Sequence, residues 1–484
     1  MGDNNSMTGK VINSTLWSFV EAFSRQFISF LIGLVLARLL FPSDYGLIGM
    51  IQFFLAICQV FIDCGFANAL ICKNDRNDKD FSTAFYFNLI VGAGAYVVLF
   101  IIAPYVASFY NEPQLKLLLR VVGLTVFFNS LCIVQNAILI SSMRMRLLTR
   151  ATITSQILSG VIGIVMAYSG FGVWALAIQS VGGSIITATV LWVITKWRPR
   201  EKWSKESFRY LWGFGIKMLF VGLISSTYSN IHALVIGKAF NKTELGLYSK
   251  ANNLSRIIPN TLYSILNKVS LPAFTAIKDN QVRLLGAFRT YIRVAAFIVF
   301  PIMALLVVLA EPVIRILWTE RWIAAVPVFQ IMCFGCIWNT LDLLSISILQ
   351  VEHRPDVLLK FEVVNKIIGF LILFVTLRFG FYAVIAGWAF YNLYEYLVYC
   401  TTNKRFLGYL YREQLLDILP TLVIAVTSAA VAFGVQMLFD GQWLKVILSS
   451  VAFGFSYIGV SYLIKLKSLS EVTDVFKMLI HKSK

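Results

Sequence analysis

Ten ionisable side chains fall inside long apolar runs of this chain: the bases Arg25, Lys217, Lys250, Arg256 and Lys366, and the acids Glu21, Asp63, Asp342, Glu362 and Glu395. Near the middle of a membrane-spanning helix each such group costs about 2.5–3.5 kcal/mol on insertion scales, so it belongs in the protein interior or a wet cavity and marks a substrate or ion path. Guanidinium forks grip phosphate oxygens with two parallel hydrogen bonds, and ammonium groups add point charge. Arg25, Arg256, Lys250 and Lys217, brought to one cleft, would form a cationic column suited to a phosphate-bearing anion. The acids suit other work. Glu21–Arg25 and Glu362–Lys366 are spaced i,i+4, one helical turn apart, so each pair can neutralise itself or act in gating or ion coupling. For Glu362–Lys366 a structural pair and a functional one fit equally well. Asp63 could bind a coupling cation, although a hydrogen bond to backbone or to an arginine suits it better. No nucleophile–base pair, metal-ligand cluster or phosphate-binding glycine loop occurs, so neither catalysis nor a cofactor is expected. Cys333 and Cys336 form a CxxC within an apolar run, where packing is the simpler role.

These groups must be positioned by membrane helices. Of the 484 residues 58% are hydrophobic and only 14% charged, whereas about a quarter charged is usual in soluble domains. Runs of twenty or more apolar residues recur along the whole length, predicting an all-α integral membrane protein with about 14 transmembrane helices. Spans are expected near 11–40, 44–71, 81–109, 115–139, 147–168, 172–195, 210–238, 244–268, 287–310, 325–350, 356–377, 380–400, 417–439 and 443–464. The first run is too long for a signal-peptide core and lacks a small-x-small cleavage site, so it is expected to remain as a helix. Of the 42 Lys and Arg residues, 28 lie in loops on one face and nine on the other. Positive loops stay inside, which places both termini in the cytoplasm, as an even span count requires. The net charge of +18 then reflects topology and headgroup contact rather than nucleic-acid binding. Counting along the helices puts Arg25 and Arg256 about 18–21 Å in, near the bilayer middle. Lys250 comes nearer the outer side and Lys217 nearer the cytoplasm.

An internal repeat organises the spans. Leu34-Val-Leu-Ala-Arg-Leu-Leu-Phe-Pro-Ser-Asp-Tyr-Gly-Leu47 returns as Leu234-Val-Ile-Gly-Lys-Ala-Phe-Asn-Lys-Thr-Glu-Leu-Gly-Leu247. Both copies end one helix and start the next with Ser or Thr followed by an acid, a pattern suited to an N-cap and first turn. Phe171-Gly-Val-Trp-Ala-Leu176 and Phe379-Gly-Phe-Tyr-Ala-Val384 form a second echo. The repeats predict two pseudo-two-fold related six-helix lobes around a central cleft: residues 1–200 (spans 1–6) and 201–413 (spans 7–12). Residues 414–484 add spans 13 and 14 and a cytoplasmic amphipathic tail, in which Leu469, Val472, Val475, Phe476 and Leu479 recur at helical spacing. The linker from Arg283 to Arg293 has a similar amphipathic character. The longest outer loop, Glu311 to Ala325, carries Arg315, Glu320, Arg321 and two tryptophans, a composition expected of an interfacial anchor.

The Ala37-Arg-Leu-Leu-Phe-Pro-Ser-Asp-Tyr-Gly-Leu47 turn, the Asp63-Cys-Gly-Phe-Ala-Asn-Ala-Leu-Ile71 run and the Gly170-Phe-Gly-Val-Trp-Ala-Leu-Ala-Ile-Gln179 run resemble bacterial polysaccharide flippases, over essentially the whole chain. These belong to the superfamily of multidrug and toxin exporters and peptidoglycan-precursor flippases. The resemblance implies flipping of undecaprenyl-pyrophosphate-linked oligosaccharide from the cytoplasmic to the periplasmic leaflet of a bacterial inner membrane by alternating access. Membrane lipids, a polysaccharide polymerase and glycosyltransferases are the implied partners. Peptidoglycan flippases carry cavity arginines in the corresponding spans, and Arg25 and Arg256 look like their counterparts. Two rival classes fit these residues less well. An ion-coupled multidrug exporter of the same superfamily would favour cavity acids over bases. A membrane polysaccharide polymerase or ligase would need a large periplasmic loop with paired arginines or a histidine.

Overall fold

The computed structural model describes residues 2–63, 65–73, 75–351 and 355–473, and every regular element among them is helical. The chain divides into two compact units, Met1–Gly246 and Leu247–Lys484. Eleven helices among the described residues are long and apolar enough to cross a membrane, and the molecule is a multi-pass membrane protein.

In the first unit the elements are α1 (Gly2–Leu39), α2 (Pro42–Asp63), α3 (Phe66–Cys72), α4 (Asp78–Tyr110), α5 (Gln114–Val122), α6 (Leu124–Ser130), α7 (Ile133–Ser141), α8 (Met145–Tyr168), α9 (Val173–Thr195) and α10 (Lys205–Ala239). α8 packs on α1 and α9, and α2 packs on α4 and α10. Small residues permit the closest of these approaches: a side chain at Gly160 would run into Ile32 of α1. Two of the expected spans are interrupted. The second stops at Asp63 and restarts at Phe66, with Gly65 at φ 66° between them. A Cβ there would also meet Cβ of Met218 on α10 at 2.7 Å, so conformation and packing both demand glycine. The fourth breaks into α5, α6 and α7.

The turn into α4 is closed by charge. Lys73 Nζ lies 2.7 Å from the carboxylate of fully buried Asp80. Asp80 also accepts from the Asn77 backbone while the Asn77 side chain accepts from the Asp80 N–H, a reciprocal cap. Removing one partner of a fully enclosed pair costs roughly 3–5 kcal/mol. Lys73 retains some contact with solvent, so Asp80→Ala is expected to cost less, about 2 kcal/mol. A thermal-unfolding midpoint in detergent that does not move would show the pair to be decorative.

The repeated turn carries an unusual crossing within this unit. A Cβ on Gly46 would strike the Lys242 carbonyl, and one on Gly246 would strike the Pro42 carbonyl, both closer than real side chains approach. The two contacts are reciprocal across the 200-residue offset of the repeat. The caps lie two residues earlier than Ser43 and Thr243. Asp44 accepts from the Phe41 N–H at 3.0 Å, and the Asn241 side chain accepts from the Glu244 N–H at 2.9 Å. The acid therefore sits in the first turn, as expected, while Ser43 and Thr243 fall inside the helices and do not cap them.

The second unit contains most of α11 (Lys242–Ala276), then α12 (Gln281–Val308), α13 (Ala310–Trp318), α14 (Ala325–Val351), α15 (Pro355–Thr376), α16 (Phe381–Leu407), α17 (Tyr411–Met437) and α18 (Gln442–Leu463). α14 packs on α12 and α16, and α17 packs on α12 and α18. The amphipathic stretch at Arg283–Arg293 is not a separate surface segment but the first turns of α12. Two of its arginines are engaged: Arg289 pairs with Asp417 at 2.8 Å and Glu413 at 3.0 Å, and Arg293 with Asp417 at 3.1 Å and with Glu471. Thr290 also donates to Glu471 at 3.2 Å. Residues 467–473 are helical, and through Glu471 this start of the tail is tied to α12. The expected apolar positions Val475, Phe476 and Leu479 lie outside the described residues.

The stretch 311–325, expected on the outer side as an interfacial anchor, packs its tryptophans inward. Trp318 and Trp322 are buried, 4% and 0% exposed, with ring centroids 5.5 Å apart. The amphipathic α13 turns its tryptophan edge into the core and leaves charge outside. There Glu311, one turn earlier, and Glu320 hold the Arg315 guanidinium above its ordinary range.

Candidate functional site

In the first unit, Arg25 lies on α1 with its side chain 60% exposed and its Nε 3.9 Å from Glu21. That separation is a loose ion pair, and the guanidinium keeps donors to spare. Its backbone carbonyl accepts from Gln156 of α8 at 3.0 Å, which ties the helix backbone behind it. Asp63, the last residue of α2, accepts from Gln59 at 3.1 Å, and Gln59 in turn accepts from Asn129 of α6 at 3.1 Å. Among the described residues the partner of Asp63 is thus an amide, where an arginine or the backbone was expected. A carboxylate at the negative end of a broken helix, extended by two amides, forms a polar strip able to hold a cation or a hydroxyl-rich ligand. Lys217 is carried on α10, and its side chain lies outside the described residues.

In the second unit, α11 carries both predicted bases. Arg256 Nε donates to Asn252 at 2.7 Å, one turn back, and its guanidinium stands 5.2 Å from the Trp388 ring of α16. Among the described residues no acid pairs with it. Gly335 makes room for that tryptophan, because a Cβ there would meet its ring at 2.6 Å. The amide and the ring fix the fork without neutralising it, a cation–π contact that leaves terminal donors available. Lys250 Nζ lies 5.8 Å from the ring of Trp318.

Glu362 and Lys366 meet as their spacing predicts, at 3.4 Å. The pair is not closed. Lys366 also lies 3.4 Å from Glu395 of α16, Tyr391 donates to Glu395 at 3.1 Å, and Tyr399 donates to Glu362 at 3.2 Å. Trp388 and Tyr399 are absent from the sequence reading because each reaches its charge from another helix. Tyr391 lies one turn from Glu395 on the same helix, so the i,i+4 spacing could have marked it, and Trp318, expected at the membrane interface, instead stands beside Lys250. Cys333 and Cys336 are buried free thiols on α14, and no metal-ligand group of three or more occurs among the described residues.

Among the described residues the chain is all-helical and multi-pass, with charged groups held inside its helices. The polysaccharide biosynthesis protein family matches residues 35–327, more than half of the chain, and the chain belongs to that family. It is 22% identical over 439 residues to the teichuronic acid biosynthesis protein TuaB of Bacillus subtilis, covering 89% of this chain and 90% of that one. It is 21% identical over 449 residues to the lipopolysaccharide biosynthesis protein WzxC of Escherichia coli, covering 90% of each. Among solved structures, the lipid II flippase MurJ shares the fold at a TM-score of 0.70 with 13% identity, over 93% of this chain and 98% of that one.

Proposed function

We propose that this protein flips undecaprenyl-pyrophosphate-linked oligosaccharide units from the cytoplasmic to the periplasmic leaflet of a bacterial inner membrane by alternating access. The observation that carries the reading is Arg256, a guanidinium inside a membrane helix, oriented by Asn252 and Trp388 and paired with no acid among the described residues. A structural arginine would be neutralised by a carboxylate; one that binds a passing diphosphate must not be. Family membership supports the polysaccharide branch, and TuaB and WzxC are both named for polysaccharide or lipopolysaccharide biosynthesis.

Fourteen spans in two six-helix lobes, 1–200 and 201–413, with two appended helices and cytoplasmic termini, complete the proposal. Three long helices among the described residues fall outside the eleven apolar ones: α11, α15 and α16. These three carry Lys250 and Arg256, Glu362 and Lys366, and Glu395. Charged and polar side chains of the kind a transport path needs set these three apart, and counting them gives fourteen. Arg25, Arg256, Lys250 and Lys217 are assigned to the diphosphate and first sugars, and Glu21, Asp63, Glu362 and Lys366 to gating or ion coupling.

The test is complementation in a strain lacking the flippase. Expression of this chain should restore surface polysaccharide and clear lipid-linked units from the cytoplasmic leaflet. Restored drug resistance with no change in those units would instead mark a drug exporter. Appearance of longer chains on already flipped units would mark a polymerase.

A further inference from the structure

The second unit contains a charge imbalance. Asp342 on α14 is 2% exposed, and neither of its carboxylate oxygens has a hydrogen-bond partner. The charged groups that act on it come from two neighbouring helices: Glu395 on α16, and Glu362 and Lys366 on α15. Tyr396, Tyr399 and Cys400, all on α16, also lie within reach of the Asp342 charge. α12 meets α14 through Phe300 against Trp338, and neither α12 nor α13 directs a charge at Asp342 among the described residues.

Three carboxylates therefore share one ammonium. Lys366 is already divided between Glu362 and Glu395, at 3.4 Å from each. Tyr399 and Tyr391 add a donor to those same two acids, so the acid left without any donor is the most buried of the three. One turn from Glu362, Asn365 is fully buried with both side-chain polar atoms unpartnered. An ionised carboxylate without donor or counter-ion in apolar surroundings is strongly disfavoured against its protonated form, and carboxyl groups that share a site resist ionising together.

We propose that Asp342 and Glu395 together hold one exchangeable proton, making the junction of α14, α15 and α16 a proton-binding site. The proton forms an O–H bond on one carboxyl of the pair. Its release returns the electron pair to that oxygen and raises the net negative charge of the cluster from one to two. The geometry selects a proton over a metal ion, because Lys366 already occupies the place between Glu362 and Glu395 that a cation would take. Use of the proton to drive transport rests on the flippase reading; the binding itself does not.

The test is pH-difference infrared spectroscopy on the purified full chain in lipid nanodiscs. The wild type should show a protonated-carboxyl band that bleaches with rising pH, and Asp342→Asn should lose it. Glu395→Gln, a milder change that keeps the site's shape, should alter proton affinity at least tenfold, read as a midpoint shift of one pH unit or more. Glu320→Gln, on the exposed outer stretch, should leave the band untouched. A band identical in wild type and both variants would overturn the assignment. So would a band that sodium chloride bleaches at constant pH, since the ion would then be sodium. The expected band shifts in a protein that fails to restore polysaccharide would uphold the proton site and overturn the flippase reading alone.

Discussion

Arg256→Ala is expected to reduce surface polysaccharide about a hundredfold at matched membrane abundance, with lipid-linked units accumulating on the cytoplasmic side. The magnitude follows from the bonds at stake. A charge-assisted hydrogen bond is worth roughly 1.5–3 kcal/mol, and losing a two-pronged grip on a diphosphate removes about 3 kcal/mol of binding, or two orders of magnitude. Arg256→Lys retains charge without the fork and should fall between wild type and alanine. Asn252→Ala and Trp388→Leu remove the two contacts that aim the guanidinium, so both should raise the substrate concentration needed without abolishing transport. Arg25→Ala should be milder, because Arg25 is largely exposed and shares its charge with Glu21. Full activity in both alanine variants would assign the arginines to structure and send the search for the binding site elsewhere.

The second large effect is expected at the reciprocal glycines. Gly46→Ala or Gly246→Ala adds a single methyl, yet each methyl would occupy the place of a backbone carbonyl. Backbone cannot swing aside as a flexible side chain can, so the helices must separate. Overpacking of well-fitted contacts costs about 1–3 kcal/mol, and here at least the upper part of that range applies. Gly94, in the middle of α4, is the matched control, because a Cβ there would meet nothing within 4 Å. Gly94→Ala should be neutral or slightly stabilising, by up to about 1 kcal/mol, since alanine is the better helix former. Thermal midpoints of the three variants in detergent test the contrast. Equal midpoints would mean that the crossing at residues 42–46 and 242–246 opens readily and stores nothing.

The helical architecture was legible because apolar length alone dictates it in a bilayer. The breaks within spans were less so. Gly65 reads as one glycine among 30, and only its positive φ and its contact with Met218 reveal the interruption. Capping at residues 41–44 and 241–244 differed from expectation because a cap depends on where the chain first turns, not only on residue type. At the site, spacing on one helix exposed Glu362 and Lys366. The share taken by Glu395, 29 residues away, is a matter of which helices become neighbours, and no local period encodes that. The same holds for the rings beside Arg256 and Lys250. Identity of position was visible at Gly46 and Gly246, whereas the close approach that explains it was not.

The acids gathered around Arg289 and Arg293 have a consequence for biosynthesis. Arg293 leaves the ribosome 124 residues before Asp417 and 178 before Glu471. At roughly 5–20 residues per second, its final partners arrive about 6 to 36 seconds later. During that interval these carboxylates are not yet made, and anionic lipid headgroups are the counter-charge that a membrane offers the two arginines. The later carboxylates then replace lipid with protein, so α17 and the helical stretch 467–473 fasten α12 only after it is made.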